Sequence, residues 1–138
     1  MTELKLTITY FMFGLFKQKA ITIINKQQLV DTMTRIAEIL NANGHNAQAD
    51  AVNKPLHYLH QDDIDNFLKF FKTVDIWGGS GAAWEVGSFS TKQVEREFES
   101  CFIRLSELLK ETGIKFKPAD QIASIFKRDL RQDQTNGY

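Results

Sequence analysis

The chain has 138 residues, of which 43% are hydrophobic and 25% charged, a length and balance that fit one globular domain and exclude a disordered chain or a membrane bundle. Seventeen Lys and Arg offset seventeen Asp and Glu, so no overall field gathers nucleic acid or anionic lipid, which disfavours nucleic-acid binding. The single Cys101 cannot form an internal disulfide and sits in an apolar helical pattern, as expected for a small core residue in a reducing, cytoplasmic setting.

The opening stretch, Leu4 to Phe16, is apolar but carries Glu3 ahead of it, lacks a small-x-small cleavage site, and is shorter than the ~20 residues of a membrane span. Two readings stand. Leu4, Leu6, Ile8 and Tyr10 alternate with polar residues as in a half-buried strand, or translation starts at Met12 and the segment is an ordinary amino terminus. Residues 1–24 are therefore an N-terminal segment, a strand or weakly ordered, ahead of a single helical domain at 25–131 and a frayed tail at 132–138.

Helical periodicity begins at Asn25. Leu29, Val30, Met33, Ile36, Ala37 and Leu40 share one face, Asn25 is placed to cap with Gln28 three residues on, and Gly44 supplies a left-handed stop. Asn46 is the expected cap of a second helix with the small residues Ala47, Ala51 and Val52, in which Pro55 either introduces a kink or opens a new turn. Asp62 is the expected cap of a third, burying Ile64, Phe67, Leu68 and Phe71 until the pattern fades at Val74.

Ser90 to Gln93 matches a capping box ahead of the stripe Val94, Phe98, Cys101, Phe102, Leu105, Leu108 and Leu109, which stops at Gly113. Pro118 opens the last helix, with Ile122, Ile125, Phe126 and Leu130 facing inward and Lys127, Arg128 and Arg131 favourably placed near its end. The fold class is thus mainly α, a compact bundle of about five helices interrupted by a glycine-rich loop. Trp84 and Val86 alternate with Glu85 and Gly87, as a short strand within that loop would.

The loop, DIWGGSGAAWEVG from Asp75 to Gly87, holds both tryptophans and four glycines. A phosphate-binding loop of the nucleotide-hydrolase type needs a lysine, which is missing. The dinucleotide fingerprint needs a small residue where Trp84 stands. Around Ser80 the stretch approaches a nucleophile elbow with Ala82 for its last glycine, but His45, His57 and His60 all precede the serine and no parallel sheet is expected. Two binding roles survive, an aromatic contact loop and an anion-binding nest of the amides from Gly78 to Gly81, beside a plain structural role in which glycines turn the backbone and the tryptophans are buried.

Elsewhere, His57 and His60 at i and i+3 with Asp62 and Asp63 contain metal-ligand types, but solvent-facing and capping roles account for them, and no metal or cofactor is expected. Glu95, Glu97, Glu99, Glu107 and Glu111 mostly avoid the apolar stripe and read as a solvated face, one that can steer a basic partner.

From Gln28 to Leu109, the helix, Gly-His turn, aspartate-capped helix and WGGSGAAWEV motif resemble a group of small, mainly helical bacterial proteins of uncharacterised function, and less specifically the immunity proteins that accompany bacterial toxins. The resemblance implies a non-enzymatic interaction protein whose partner is a protein, a toxin in the narrowest form, and it supplies no catalytic residues. The expected partner contacts are Trp77 and Trp84 as anchors, Glu85 for polar registration, and Gly78, Gly79, Ser80 and Gly81 as the shaped turn. The competing expectation is a small anionic ligand, or an enzyme, using the Gly78–Gly81 amides.

Overall fold

Two glycines in the left-handed region, Gly44 at φ +81° and Gly113 at φ +79°, end the two helices that the sequence assigns them to end. The computed structural model describes residues 21–135. Of the segment 1–24 expected as a strand or weakly ordered, residues 1–20 lie outside the described residues, as does the end of the tail at 136–138, while 21–24 form no strand and are tied to Thr112 by hydrogen bonds at Thr22 and Ile24. The fold is mainly helical: α1 (Lys26–Ala42), α2 (Asn46–His60), α3 (Ile64–Phe71), the single turn α4 (Val74–Trp77), a 3-10 turn (Ala83–Glu85), α5 (Lys92–Glu111) and α6 (Lys117–Thr135). The five expected helices are present, and α4 adds a turn inside the glycine segment. Helix α6 continues through Thr135, and α2 runs unbroken through Pro55. No described helix is long and apolar enough to cross a membrane.

Polar contacts fix how the helices run. Lys26, opening α1, reaches Asp62 just beyond α2 at 2.8 Å, so α1 and α2 are antiparallel. Lys92, opening α5, pairs with Asp133 near the end of α6 at 3.4 Å, and Lys110 near the end of α5 pairs with Asp120 early in α6 at 3.4 Å, so these two are antiparallel as well. Across the pair of hairpins, Asn25 Nδ2 donates to the Leu108 carbonyl at 2.9 Å, and Arg35 grips Glu97 with two bonds of 2.6 and 2.8 Å. Helices α1 and α5 therefore also run opposite ways and form the central contact of the bundle.

The core fills the space between them. Leu29, Met33, Ile36 and Leu40 of α1 face Phe98, Phe102, Leu105 and Leu109 of α5, all fully or almost fully buried. Phe67 and Phe71 of α3 are fully buried in the same core, and each such ring contributes about 2–3 kcal/mol by leaving water.

Several local expectations are corrected. Asn25 makes no side-chain cap, because its amide is turned to Leu108 and to Glu111 Oε2 at 3.2 Å. His45, not Asn46, flanks the start of α2. Asp62 does not cap α3, because it lies at φ +57° in the turn that ends α2, where aspartate is tolerated. Asp63 caps instead, accepting from the Asn66 N–H at 3.2 Å. Thr91, not Ser90, caps α5 through a 3.1 Å bond from the Val94 N–H, while the Ser90 N–H donates to Asn43 Oδ1 at 2.6 Å. The short strand at Trp84–Val86 is a 3-10 turn, closed by the Glu85 N–H donating to the Ala82 carbonyl at 3.2 Å. Glu99 belongs to the buried interior of α5 and not to its solvated face.

Candidate functional site

The glycine segment is a rigid turn held at both ends by indoles. Trp77 is 8% exposed and its Nε1–H donates to the Phe71 carbonyl at 2.7 Å. Its ring stands edge-on to Phe102 at 5.6 Å and Phe116 at 5.4 Å, so it anchors the turn in the core and is not presented to a partner. Trp84 is half-buried, donating from Nε1 to the Gly78 carbonyl at 2.6 Å while its ring meets Phe126 at 6.2 Å. A tryptophan N–H needs a partner once it leaves water, and here both find backbone carbonyls.

Between the indoles the backbone is set by contact and by conformation. The Gly78 N–H donates to Val74 O at 2.8 Å, and a Cβ at Gly78 would stand 2.6 Å from that oxygen, so no larger residue fits. Gly81 takes φ +86°, which L side chains rarely adopt. The Gly79 carbonyl accepts from the Ala82 N–H at 3.0 Å, and the Gly81 carbonyl accepts from Gln48 Nε2 at 3.1 Å, which ties the turn to α2. Gly79, Ser80, Gly81 and Glu85 remain exposed.

Beside this turn lies a cleft of about 380 Å³ lined by Ala47, Gln48, Asp50, Ala51, Lys54, Asp75 and Gly81. Val74, the chain neighbour of Asp75, is 78% exposed. Lys54 Nζ lies over the Phe70 ring at 4.1 Å, while Asp50 and Asp75 form no ion pair among the described residues. With Asp50 and Asp75 set against Lys54, the cleft lining carries one net negative charge. Its α2 residues and Val74 escape sequence reasoning, because α2 and the glycine segment meet only in three dimensions. Asp75 and Gly81, both inside the quoted motif, are the cleft's readable signals.

Chemistry at the turn is constrained by its neighbours. Ser80 has no histidine in hydrogen-bond contact among the described residues: His45 Nε2 donates to the Ser88 carbonyl at 2.7 Å, and His57 packs edge-on against Tyr58 at 5.3 Å. The amides of Gly79, Ser80 and Gly81 have no partner among the described residues, but Asp50 and Asp75 line the adjoining cleft, and carboxylates oppose an anion there. No cluster of three or more His, Cys, Asp or Glu residues is arranged for a metal among the described residues.

Two other groups carry unusual electrostatics. Burial, reinforced by Asp129 and Glu95, pushes the Glu99 carboxyl up to about 7. Burial pushes the Cys101 thiol up to about 11, which keeps it protonated and a poor nucleophile near neutrality. Neither a family model, nor a curated protein, nor a solved structure matches the chain.

Proposed function

We propose that the chain is a non-enzymatic protein-interaction module whose recognition surface is the Gly79–Gly81 turn together with the adjoining α2 cleft. The observation that carries this reading is the exposed Val74 beside a cleft with two unpaired carboxylates, Asp50 and Asp75, on a turn that Trp77 and Trp84 hold rigid. A preorganised surface loses little entropy on binding. Its chemistry fits a partner segment that brings a small apolar side chain to Val74 and a basic side chain to the carboxylates. Glu85, exposed on the same segment, adds to that polarity, whereas Trp77 acts through rigidity alone.

In its narrower form the module is an immunity protein that covers a basic active surface of a bacterial toxin in the cytoplasm. That form is supported by the resemblance of the WGGSGAAWEV motif and by the acidic character of the cleft. The test is affinity purification with wild type and with a Val74→Arg/Asp75→Lys variant shown by circular dichroism to be folded. A stoichiometric partner lost with the variant supports the reading, and a partner retained by both assigns recognition to another surface.

A further inference from the structure

A second cleft, of about 440 Å³, opens where α5 turns into α6, and it shares no lining residue with the first. Lys110, Lys115 and Lys117 line it around Ile114 and Phe116, and Lys72 at the end of α3 places Nζ 5.8 Å over the Phe116 ring. In a chain with equal numbers of cationic and anionic residues, four lysines at one corner are a local concentration of charge and not a reflection of overall basicity.

Little of that charge is neutralised. Asp120, which also lines the cleft, pairs with Lys110 at 3.4 Å and so offsets one of the four charges. Lys115 and Lys117 form no ion pair among the described residues and both are exposed. The first turn of α6 adds the positive end of a helix dipole. Phe116 is half-buried and is braced from behind by Phe71 at 6.0 Å and Trp77 at 5.4 Å, which fixes a firm apolar floor.

We propose that this cleft docks an acidic segment of a protein partner, which seats one apolar side chain against Phe116 while flanking carboxylates meet Lys110, Lys115 and Lys117. Charge complementarity selects the acid, and the floor selects the apolar residue between the charges. A polypeptide fits better than nucleic acid. Phosphate tracking needs cations in a row along a groove, whereas these are gathered at one corner around a single apolar floor.

The experiment is selection of a phage-displayed random dodecapeptide library on the immobilised full chain, repeated with a Lys115→Glu/Lys117→Glu variant. Because both lysines are exposed and unpaired, the variant should keep the wild-type circular dichroism and melting temperature. Expected is enrichment of peptides with two or more Asp or Glu around a Leu, Ile or Phe. Their binding should fall at least tenfold in the variant and should weaken as salt rises. The proposal is overturned by no enrichment of acidic peptides, by binding of such peptides that the variant leaves unchanged, or by a twenty-nucleotide single strand that binds the wild type more tightly than the selected acidic peptides do. Because the Lys115→Glu/Lys117→Glu variant leaves Val74 and Asp75 in place, failure of the acidic-peptide result leaves the glycine-turn reading untouched.

Discussion

The indole N–H of Trp84 reaches back six residues to the carbonyl of Gly78 at 2.6 Å, so the two ends of the glycine turn are joined by one hydrogen bond. Trp84→Phe keeps a ring against Phe126 but leaves that carbonyl without its donor. It should destabilise by about 1–2 kcal/mol, and Trp84→Ala, which also loses the ring packing, by about 3 kcal/mol, both read from urea unfolding. An unchanged stability of Trp84→Phe would show that the hydrogen bond contributes nothing, and equal losses for the two variants would show that the ring packing contributes nothing.

The glycines of the turn should separate by mechanism. Gly78→Ala drives a Cβ to 2.6 Å from Val74 O and should cost about 2–3 kcal/mol through forced backbone movement. Gly81→Ala has open space but keeps φ +86°, for a cost of about 1–2 kcal/mol. Gly79→Ala, with open space and no positive φ, should be neutral within about 0.5 kcal/mol. Thermal melts of the three single variants check the order, and a Gly79→Ala cost equal to that of Gly78→Ala would contradict it.

The sequence makes the number of helices and their buried stripes legible because periodicity and left-handed glycines are local signals. It leaves caps ambiguous by one residue where two capping types are adjacent, as at Asp62–Asp63 and Ser90–Thr91. Only the tertiary path shows that Asp62 is needed in the left-handed turn facing Lys26 and that Ser90 bonds Asn43 through its backbone. At the candidate site the motif was visible but the two tryptophans were indistinguishable. Trp77 is drawn inside by Phe102 and Phe116, partners far along the chain that no local pattern names. The apparent alternation at Trp84–Val86 has a helical-turn origin for the same reason, since the indole folds back onto Gly78.

Thr112 joins the start of the described chain to the end of α5. Its Oγ accepts from the Ile24 N–H at 3.0 Å and donates to the Thr22 carbonyl at 2.9 Å. Thr112→Val, nearly equal in shape, should cost about 1–3 kcal/mol and raise amide exchange at Ile24. Unchanged protection of that amide would show that Asn25 alone holds the segment.

Glu99 should make stability depend on pH. Its carboxyl is raised from 4.5 to about 7 by burial, with Asp129, Glu95 and Asp133 adding repulsion and Lys92 opposing them. A raised folded-state value means the folded protein holds its proton more tightly, so the contribution is full below pH 4.5 and is lost as pH rises through about 7. Glu97 has the opposite sign: its bond to Arg35 lowers its value, and its contribution is lost as pH falls. Glu99→Gln isolates the first effect. Relative to this variant, the wild type should lose on the order of 2–3 kcal/mol between about pH 5 and pH 8, measured by urea unfolding at each pH. Parallel curves for the two proteins would contradict it.

The bond from Asn25 to the Leu108 carbonyl joins residues 83 positions apart. At a ribosomal rate of ~5–20 residues per second, the first helix waits roughly 4–17 s for the surface it packs on. During that interval the face of α1 that packs on α5 is without α5 to cover it, so the first hairpin leaves the ribosome with that side of its core unpaired with α5. A nascent chain arrested after the glycine turn should accordingly be a preferred client of chaperones that hold exposed apolar helices, and one arrested beyond α5 should not.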